Sequence, residues 1–289
     1  MMSWIAKTED DIKIVRISEL LSKIKGEKMS KSYFVTSDIH SFLDELMVVL
    51  REKGFEDDNK DHILCVCGDL FDRGSKPKEL FEFVKGLQEQ GRLIYVRGNH
   101  EDLLFDCMEE IKRGVLPSSH HRHNKTVETI CRFCGQSEWI IYDPTWRDKI
   151  CEVMQPVLDF ISDNCVDYAE IGDYILVHGY LPCYQGLDDF RDATSEDWER
   201  SRWNNGMEMW KNPRCRVEGK TVIVGHWHCS YAWSHIERKY KEFPQKNHED
   251  FKHSFQPWIK EGIIALDACC AYSGKLNCIV IIDDNFKEE

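Results

Sequence analysis

Two carboxylates and a guanidinium stand close together in Gly68-Asp69-Leu70-Phe71-Asp72-Arg73-Gly74. A carboxylate in a tight turn can be shared by two metal ions, and a planar guanidinium can grip a phosphate through paired hydrogen bonds. Gly68 and Gly74 let a ligand approach the backbone. Taken alone, the same loop would serve as an acidic helix cap. Its surroundings argue for chemistry: Asp38-Ile39-His40 lies upstream, Arg97-Gly98-Asn99-His100-Glu101 downstream, and His178-Gly179 and Gly225-His226-Trp227-His228 further on. Hard oxygen donors mixed with imidazoles, and no cysteine among them, suit Mn²⁺, Fe or Zn²⁺.

Each of these motifs follows an apolar run, at residues 33–36, 63–66, 93–96, 174–177 and 221–224. The first three recur about every thirty residues with amphipathic stretches at 41–53 and 78–87 between or after them, which is a repeated βα unit. Open α/β sheets collect their ligands at the carboxyl ends of the strands. Strands at 263–266 and 276–282 close the pattern.

D-x-H, G-D-x-x-D-R-G, G-N-H-E, a lone His-Gly and G-H-x-H, in this order, resemble the calcineurin-like metallophosphoesterases. The intact G-D-x-x-D-R-G and R-G-N-H-E are most similar to the phosphoprotein phosphatase branch of bacterial and phage type. The resemblance runs from about residue 33 to residue 282 and implies a four-layer αββα sandwich. It implies a dinuclear centre of two divalent ions (Mn, Fe or Zn). Asp38, His40, Asp69 and His228 would hold the first ion; Asp69, as bridge, with Asn99, His178 and His226 would hold the second. Two such cations sharing a water make hydroxide at neutral pH. His100 would be the general acid, oriented by Asp72, while Arg73, Arg97 and Arg202 would neutralise the transferring phosphoryl group. Arg202 is preferred to Arg200 because Arg202-Trp203-Asn204-Asn205-Gly206-Met207 resembles the corresponding bacterial segment. Ser37 and Ser41 depart from the glycines usual in that branch, and His178-Gly179-Tyr180 departs from its His-Gly-Gly.

The implied activity is phosphoester hydrolysis, first as a serine/threonine-phosphatase-like phosphomonoesterase, with a dinucleoside polyphosphate hydrolase as the alternative. A metal-free binding scaffold on the same fold would require missing ligands, and none is missing.

The 289 residues suffice for one large α/β domain, and the 42% apolar, 31% charged composition is that of a globular protein. A net charge of −13 argues against nucleic-acid and anionic-membrane partners. No apolar run is long enough to span a bilayer, and the first residues lack the build of a signal peptide. A cytoplasmic location is therefore expected, with the thirteen cysteines as reduced thiols. Residues 1–28 read as an N-terminal extension, with Met29 as a candidate start; residues 29–289 read as a single domain. Within it, a helical insertion is expected at about 115–170, with helices at 124–133 and 146–165. A long loop at about 229–261 is expected to act as a specificity lid, its Tyr231, Trp233 and Tyr240 available to stack on a base.

Overall fold

Strict alternation along the strands fixes which side of each sheet meets which layer. In strand β1 (Lys31–Thr36), Tyr33 and Val35 point to one side and Phe34 to the other. In β2 (His62–Cys67), Ile63, Cys65 and Cys67 share the first side while Leu64 and Val66 take the second. A period of two turns successive side chains to opposite faces, so a strand buried on both sides carries two cores at once.

The computed structural model describes residues 31–184 and 187–283; the expectations for residues 1–28 and Met29 lie outside them. Helix α1 (Leu43–Glu52) connects β1 to β2, and α2 (Pro77–Glu89) leads to β3 (Leu93–Val96). Then come α3 (Asn99–Lys112), α4 (Ser119–His123), α5 (Thr126–Cys134) and α6 (Arg147–Asn164). Strands β4 (Cys165–Val166), β5 (Ala169–Ile171) and β6 (Tyr174–Leu176) follow. Helices α7 (Ser195–Ser201) and α8 (Gly206–Trp210) precede β7 (Thr221–Val224). The described chain closes with β8 (Trp258–Lys260), β9 (Ile263–Ala265) and β10 (Cys278–Asp283).

These strands make two five-stranded sheets, ordered β10-β1-β2-β3-β4 and β5-β6-β7-β9-β8. Their inner faces meet in a core of Tyr33, Val35, Ile63, Cys65 and Val96 against Leu176, Ile223, Ile264 and Leu266. Helices α1, α2, α3, α5 and α6 cover the outside of the first sheet through Leu46, Leu80, Leu104, Ile130 and Met154. Trp198 and Met207, from α7 and α8, pack beneath the second. The result is the expected αββα sandwich. β1, β2 and β3 run parallel, as do β6, β7 and β9, so six carboxyl ends converge where the sheets meet.

Three expectations change. The range 115–170 is not helical to its end: β4 pairs with β3 (Tyr95↔Cys165) and β5 with β6. Such short strands carry no readable alternation, and only their partners define them. The stretch 229–261 is not a free loop either, because β8 pairs antiparallel with β9 and its Trp258 is fully buried. Finally, the cysteines are not all free thiols. Cys183 and Cys215, 32 residues apart in sequence, have Cα atoms 5.4 Å apart and form a disulfide, while eleven others are free. Their pairing follows from the fold, which returns the chain to β6's neighbourhood after α8, and sequence spacing gave no hint of it.

Candidate metal centre

The three turns that carry the key side chains need backbone conformations that L-residues rarely adopt. Asp38, His40, Ser41, Asp69, Asp72, Arg73 and His226 all have positive φ, between 49° and 76°. Such conformations persist only where surrounding structure enforces them, and they gather at functional sites. Ser41, where the resembled branch has glycine, takes φ 61° without one. Gly68 (φ 81°) cannot be replaced so easily, because a Cβ there would strike the His178 ring and the Gly98 backbone.

Hydrogen bonds lock these turns together. Asp38 N–H donates to the Gly68 carbonyl at 3.1 Å and His40 N–H to the Asp69 carbonyl at 3.0 Å. Glu101, buried in the first turn of α3, accepts from the N–H groups of Gly98 (2.7 Å), Asp69 (3.0 Å) and Leu70 (2.9 Å). This carboxylate therefore fixes the Asp69 turn as well as capping its own helix. The helix N-terminus in turn holds the Asp69 side chain, whose Oδ1 accepts from His100 N–H at 3.0 Å.

Around Asp69 the donors fall into two groups, each lying within 4.8 Å: His40, Asp69 and His100, and Asp69, His178 and His226. Asp69 is common to both, the position of a bridging ligand. Asn99 joins the second group, with its Oδ1 2.8 Å from His178 Nε2. Asp38 stands beside it, both carboxylate oxygens accepting from His226 N–H at 3.0 and 3.1 Å. His228 is not drawn into either group. Its Nδ1 meets the Ser230 hydroxyl at 2.8 Å and its Nε2 faces Glu242 at 3.7 Å.

The donor set fits divalent ions on a structural ground. His178 Nδ1 donates to the Cys67 carbonyl at 2.8 Å, which in the neutral ring leaves the lone pair on Nε2. That lone pair faces Asn99 Oδ1 at 2.8 Å and Asp69 Oδ1 at 3.2 Å. With the ring neutral, these three buried acceptors converge on one point, an arrangement that a metal ion would satisfy. Burial first, then the neighbouring His178, pushes the His226 imidazole down to about 3, and burial, followed by Arg73 and His100, also lowers His40. Both rings are thus held in the neutral form that binds metals.

His100 is treated differently. Its Nδ1 meets Asp72 Oδ2 at 2.6 Å, and that same oxygen accepts from the Thr126 hydroxyl at 2.8 Å. Burial pulls its pKa down, but Asp69 and the Asp72 hydrogen bond outweigh it and the net shift is upward. His100 Nε2 lies 3.1 Å from one Arg73 nitrogen, while the other Arg73 nitrogen lies 2.9 Å from His40 Nε2. An imidazole whose protonated form is favoured and a guanidinium therefore share one side of Asp69. The other two arginines singled out in the sequence are differently engaged. Arg97 Nε lies 2.7 Å from Asp102, and Arg202 donates to Asp102 (2.7 Å) and to Asp167 (2.6 Å). Arg202 is buried, whereas Arg200 lies outside, paired with Glu196 at 3.2 Å.

Glu101 and Thr126 were not singled out from sequence, although Glu101 ends the G-N-H-E motif. Thr126 carried no signal, since its role depends on α5 crossing over the Asp72 turn. Removing its hydroxyl takes away a hydrogen bond to a charged group, worth about 1.5–3 kcal/mol. Thr126→Val is accordingly expected to lower kcat about tenfold while leaving metal content unchanged. Steady-state kinetics beside elemental analysis checks this; an unaltered kcat would mean Asp72 orients His100 unaided.

The model of the calcineurin-like phosphoesterase family matches residues 32–257. The chain belongs to this family. Among curated relatives, the bis(5'-nucleosyl)-tetraphosphatase PrpE [asymmetrical] of Bacillus subtilis is 36% identical over 80 residues. That match covers 26% of this chain, which spans about a third (33%) of the relative's length. A symmetrical bis(5'-nucleosyl)-tetraphosphatase of Buchnera aphidicola is 37% identical over 277 residues, covering 87% of this chain and 95% of that protein. A solved structure described as a putative diadenosine tetraphosphatase aligns with a TM-score of 0.45 at 16% identity, over 89% of this chain and 95% of that one.

Proposed function

We propose that this chain hydrolyses dinucleoside polyphosphates at the Asp69 centre. The observation that carries the reading is a rim of exposed aromatic rings against His226 of the site and the neighbouring His228. Phe243, 47% exposed, lies 4.6 Å from the His228 ring and 5.2 Å from Tyr272. Trp203, 44% exposed, meets His226 at 5.8 Å, and Trp227 meets His228 at 6.3 Å. A base attached to a phosphate chain could stack on such rings, whereas a bare phosphate would reach none of them. The similarity to named tetraphosphatases points the same way.

The aromatics expected from sequence are not these. Tyr231 stacks on His235 and donates to Glu208, Trp233 donates to the Gln256 carbonyl, and Tyr240 stacks on His253. They are committed to holding the 229–257 stretch together.

In the mechanism, divalent cations held by Asp38, His40, Asp69, Asn99, His178 and His226 would polarise phosphoryl oxygens and activate a water. Arg73 would neutralise charge on the transferring group, and His100 would protonate the leaving oxygen from Nε2. Asp72 and Thr126 keep His100's other nitrogen engaged, so the ring cannot turn away. Arg97 and Arg202, tied to Asp102 and Asp167, would act as rigid parts of the wall.

A phosphoserine protein is the second reading, favoured by an acidic cavity of about 380 Å³ beside Trp203. Asp102, Asp106, Glu110 and Glu199 line it, a setting for a basic residue near the phosphorylated one. Turnover of diadenosine tetraphosphate, a phosphoserine peptide with a neighbouring arginine, and p-nitrophenyl phosphate separates the readings. Phe243→Ala should cut kcat/KM for diadenosine tetraphosphate by about 5–150-fold, the equivalent of about 1–3 kcal/mol of stacking. It should spare p-nitrophenyl phosphate. Faster turnover of the peptide, with no effect of Phe243→Ala on the dinucleotide, would favour the second reading.

A further inference from the structure

Helix α3 carries a row of carboxylates that the metal centre does not use. Asp102, Asp106 and Glu110 follow one another at intervals of four, so they share one face in steps of about 6 Å along the axis. They line the cavity of about 380 Å³ together with His121 of α4, Glu199 of α7 and Trp203. The Trp203 ring lies 5.8 Å from His226 and 6.2 Å from His120, so the cavity adjoins the metal centre.

The charges in this cavity are unevenly matched. Asp102 is held by Arg97 and by Arg202, each at 2.7 Å, and Glu110 accepts from Ser118 N–H at 2.9 Å. Asp106 and Glu199, both exposed, have no hydrogen bond or ion pair among the described residues. Arg113 also lines the cavity, but its Nε donates to the Glu109 carbonyl at 3.1 Å and it forms no ion pair with these carboxylates. Carboxylates alone would make no more than a solvated face. A buried imidazole argues for more. His121 is 4% exposed, its Nε2 faces Glu110 at 3.6 Å, and its Nδ1 has no hydrogen-bond partner among the described residues. Burial lowers its pKa against the pull of Glu110 and Asp106, which favours the neutral ring. Buried polar atoms are almost always paired, so an unpaired one on the wall of an acidic cavity calls for a donor from outside the chain.

We infer that this cavity binds a linear polyamine, its ammonium groups set against Asp106, Glu110 and Glu199. A metal ion suits the place less well. Among the described residues, no three of these side chains bring donor atoms within 4.8 Å of one another, as the groups around Asp69 do. Leu103 and the Trp203 ring add apolar surface to the same wall, which suits methylenes, and an indole face attracts ammonium. Three or four methylenes separate successive ammonium groups by a distance comparable to the step from Asp106 to Glu110. The inference rests on neither substrate reading, since it gives the cavity a ligand whichever phosphoester is cleaved. With a net charge of −13, the protein repels a polyanionic substrate, and a polycation seated here would relieve that repulsion.

The test is a calorimetric titration of spermidine into the full chain at low salt. Saturating Mn²⁺ keeps the ammonium groups off the Asp69 centre. One spermidine should bind, and more weakly as salt rises. Asp106→Asn combined with Glu199→Gln should weaken binding about 3–30-fold, and Trp203→Ala about 2–5-fold. Asp57→Asn combined with Asp58→Asn removes the same charge from the exposed turn between α1 and β2, away from the carboxyl ends of the strands, and should leave the affinity unchanged. Equal weakening by both pairs would mean diffuse attraction to an acidic surface and would overturn the inference, as would a wild type that binds no spermidine. Capture of an arginine-containing peptide in place of spermidine, lost in the Asp106/Glu199 variant, would overturn it in favour of a peptide subsite. Should the double variant fail to fold, Glu199→Gln alone, on the surface of α7, is read in its place for a loss of about 2–5-fold. The readout is binding, so a negative result leaves hydrolysis at the Asp69 centre standing.

Discussion

Asp69→Asn is expected to strip metal from both donor groups and to lower kcat by about 10³-fold or more, a loss of about 4 kcal/mol of transition-state stabilisation. The reason is that Asp69 alone is common to the His40–His100 group and the His178–His226 group. One lost charge is therefore felt twice. The substitution is nearly isosteric, and an amide oxygen can still accept from His100 N–H, as Oδ1 does at 3.0 Å. The fold should survive, which circular dichroism would register. Elemental analysis and p-nitrophenyl phosphate turnover with added Mn²⁺ provide the measurement. A variant that retains wild-type metal content and turnover would contradict the bridged centre.

His100→Ala should lower kcat by about 10²–10⁴-fold with metal content nearly unchanged. The loss should be greatest on substrates with poor leaving groups, which need the proton most. The structure sharpens this expectation, since His100 also lies within reach of the first donor group, with Nε2 3.9 Å from Asp69 Oδ2. A ligand role would show as metal loss and as equal damage to good and poor leaving groups. An acid role would show as an intact metal content and a leaving-group slope. The Asp72 contact to Nδ1, with Asp72 itself held by the Thr126 hydroxyl, favours the acid, because it holds the ring by its far nitrogen and leaves Nε2 to the substrate side.

The strand ends were legible because each couples an apolar run to a polar residue that has no business in a core. Asp38, His40, Asp69, Asn99, His178 and His226 are legible in the sequence as candidate donors; the fold gathers His40, His178 and His226 around Asp69, with Asn99 against His178 and Asp38 against the His226 turn. His228 was read by the same rule, yet a donor's type and spacing do not fix where its ring turns. Ser230 and Glu242 decide that, and Glu242 arrives from a stretch with no periodic signal. The arginines show the same limit. A guanidinium looks free in a sequence until a distant carboxylate is folded beside it, as Asp102 and Asp167 are beside Arg202.

By itself, then, the sequence determined the α/β architecture, the family and most of the polar side chains gathered around Asp69, because periodicity and motif order are local properties of the chain. The tertiary structure alone decided the Cys183–Cys215 bond, the β4, β5 and β8 pairings and the Thr126 contact to Asp72. Each of these joins residues whose side chains carry no pattern of their own. Their meaning comes from the partner the fold supplies, which for the disulfide, β4 and Thr126 lies more than thirty residues away, and burial is what makes that partner unavoidable.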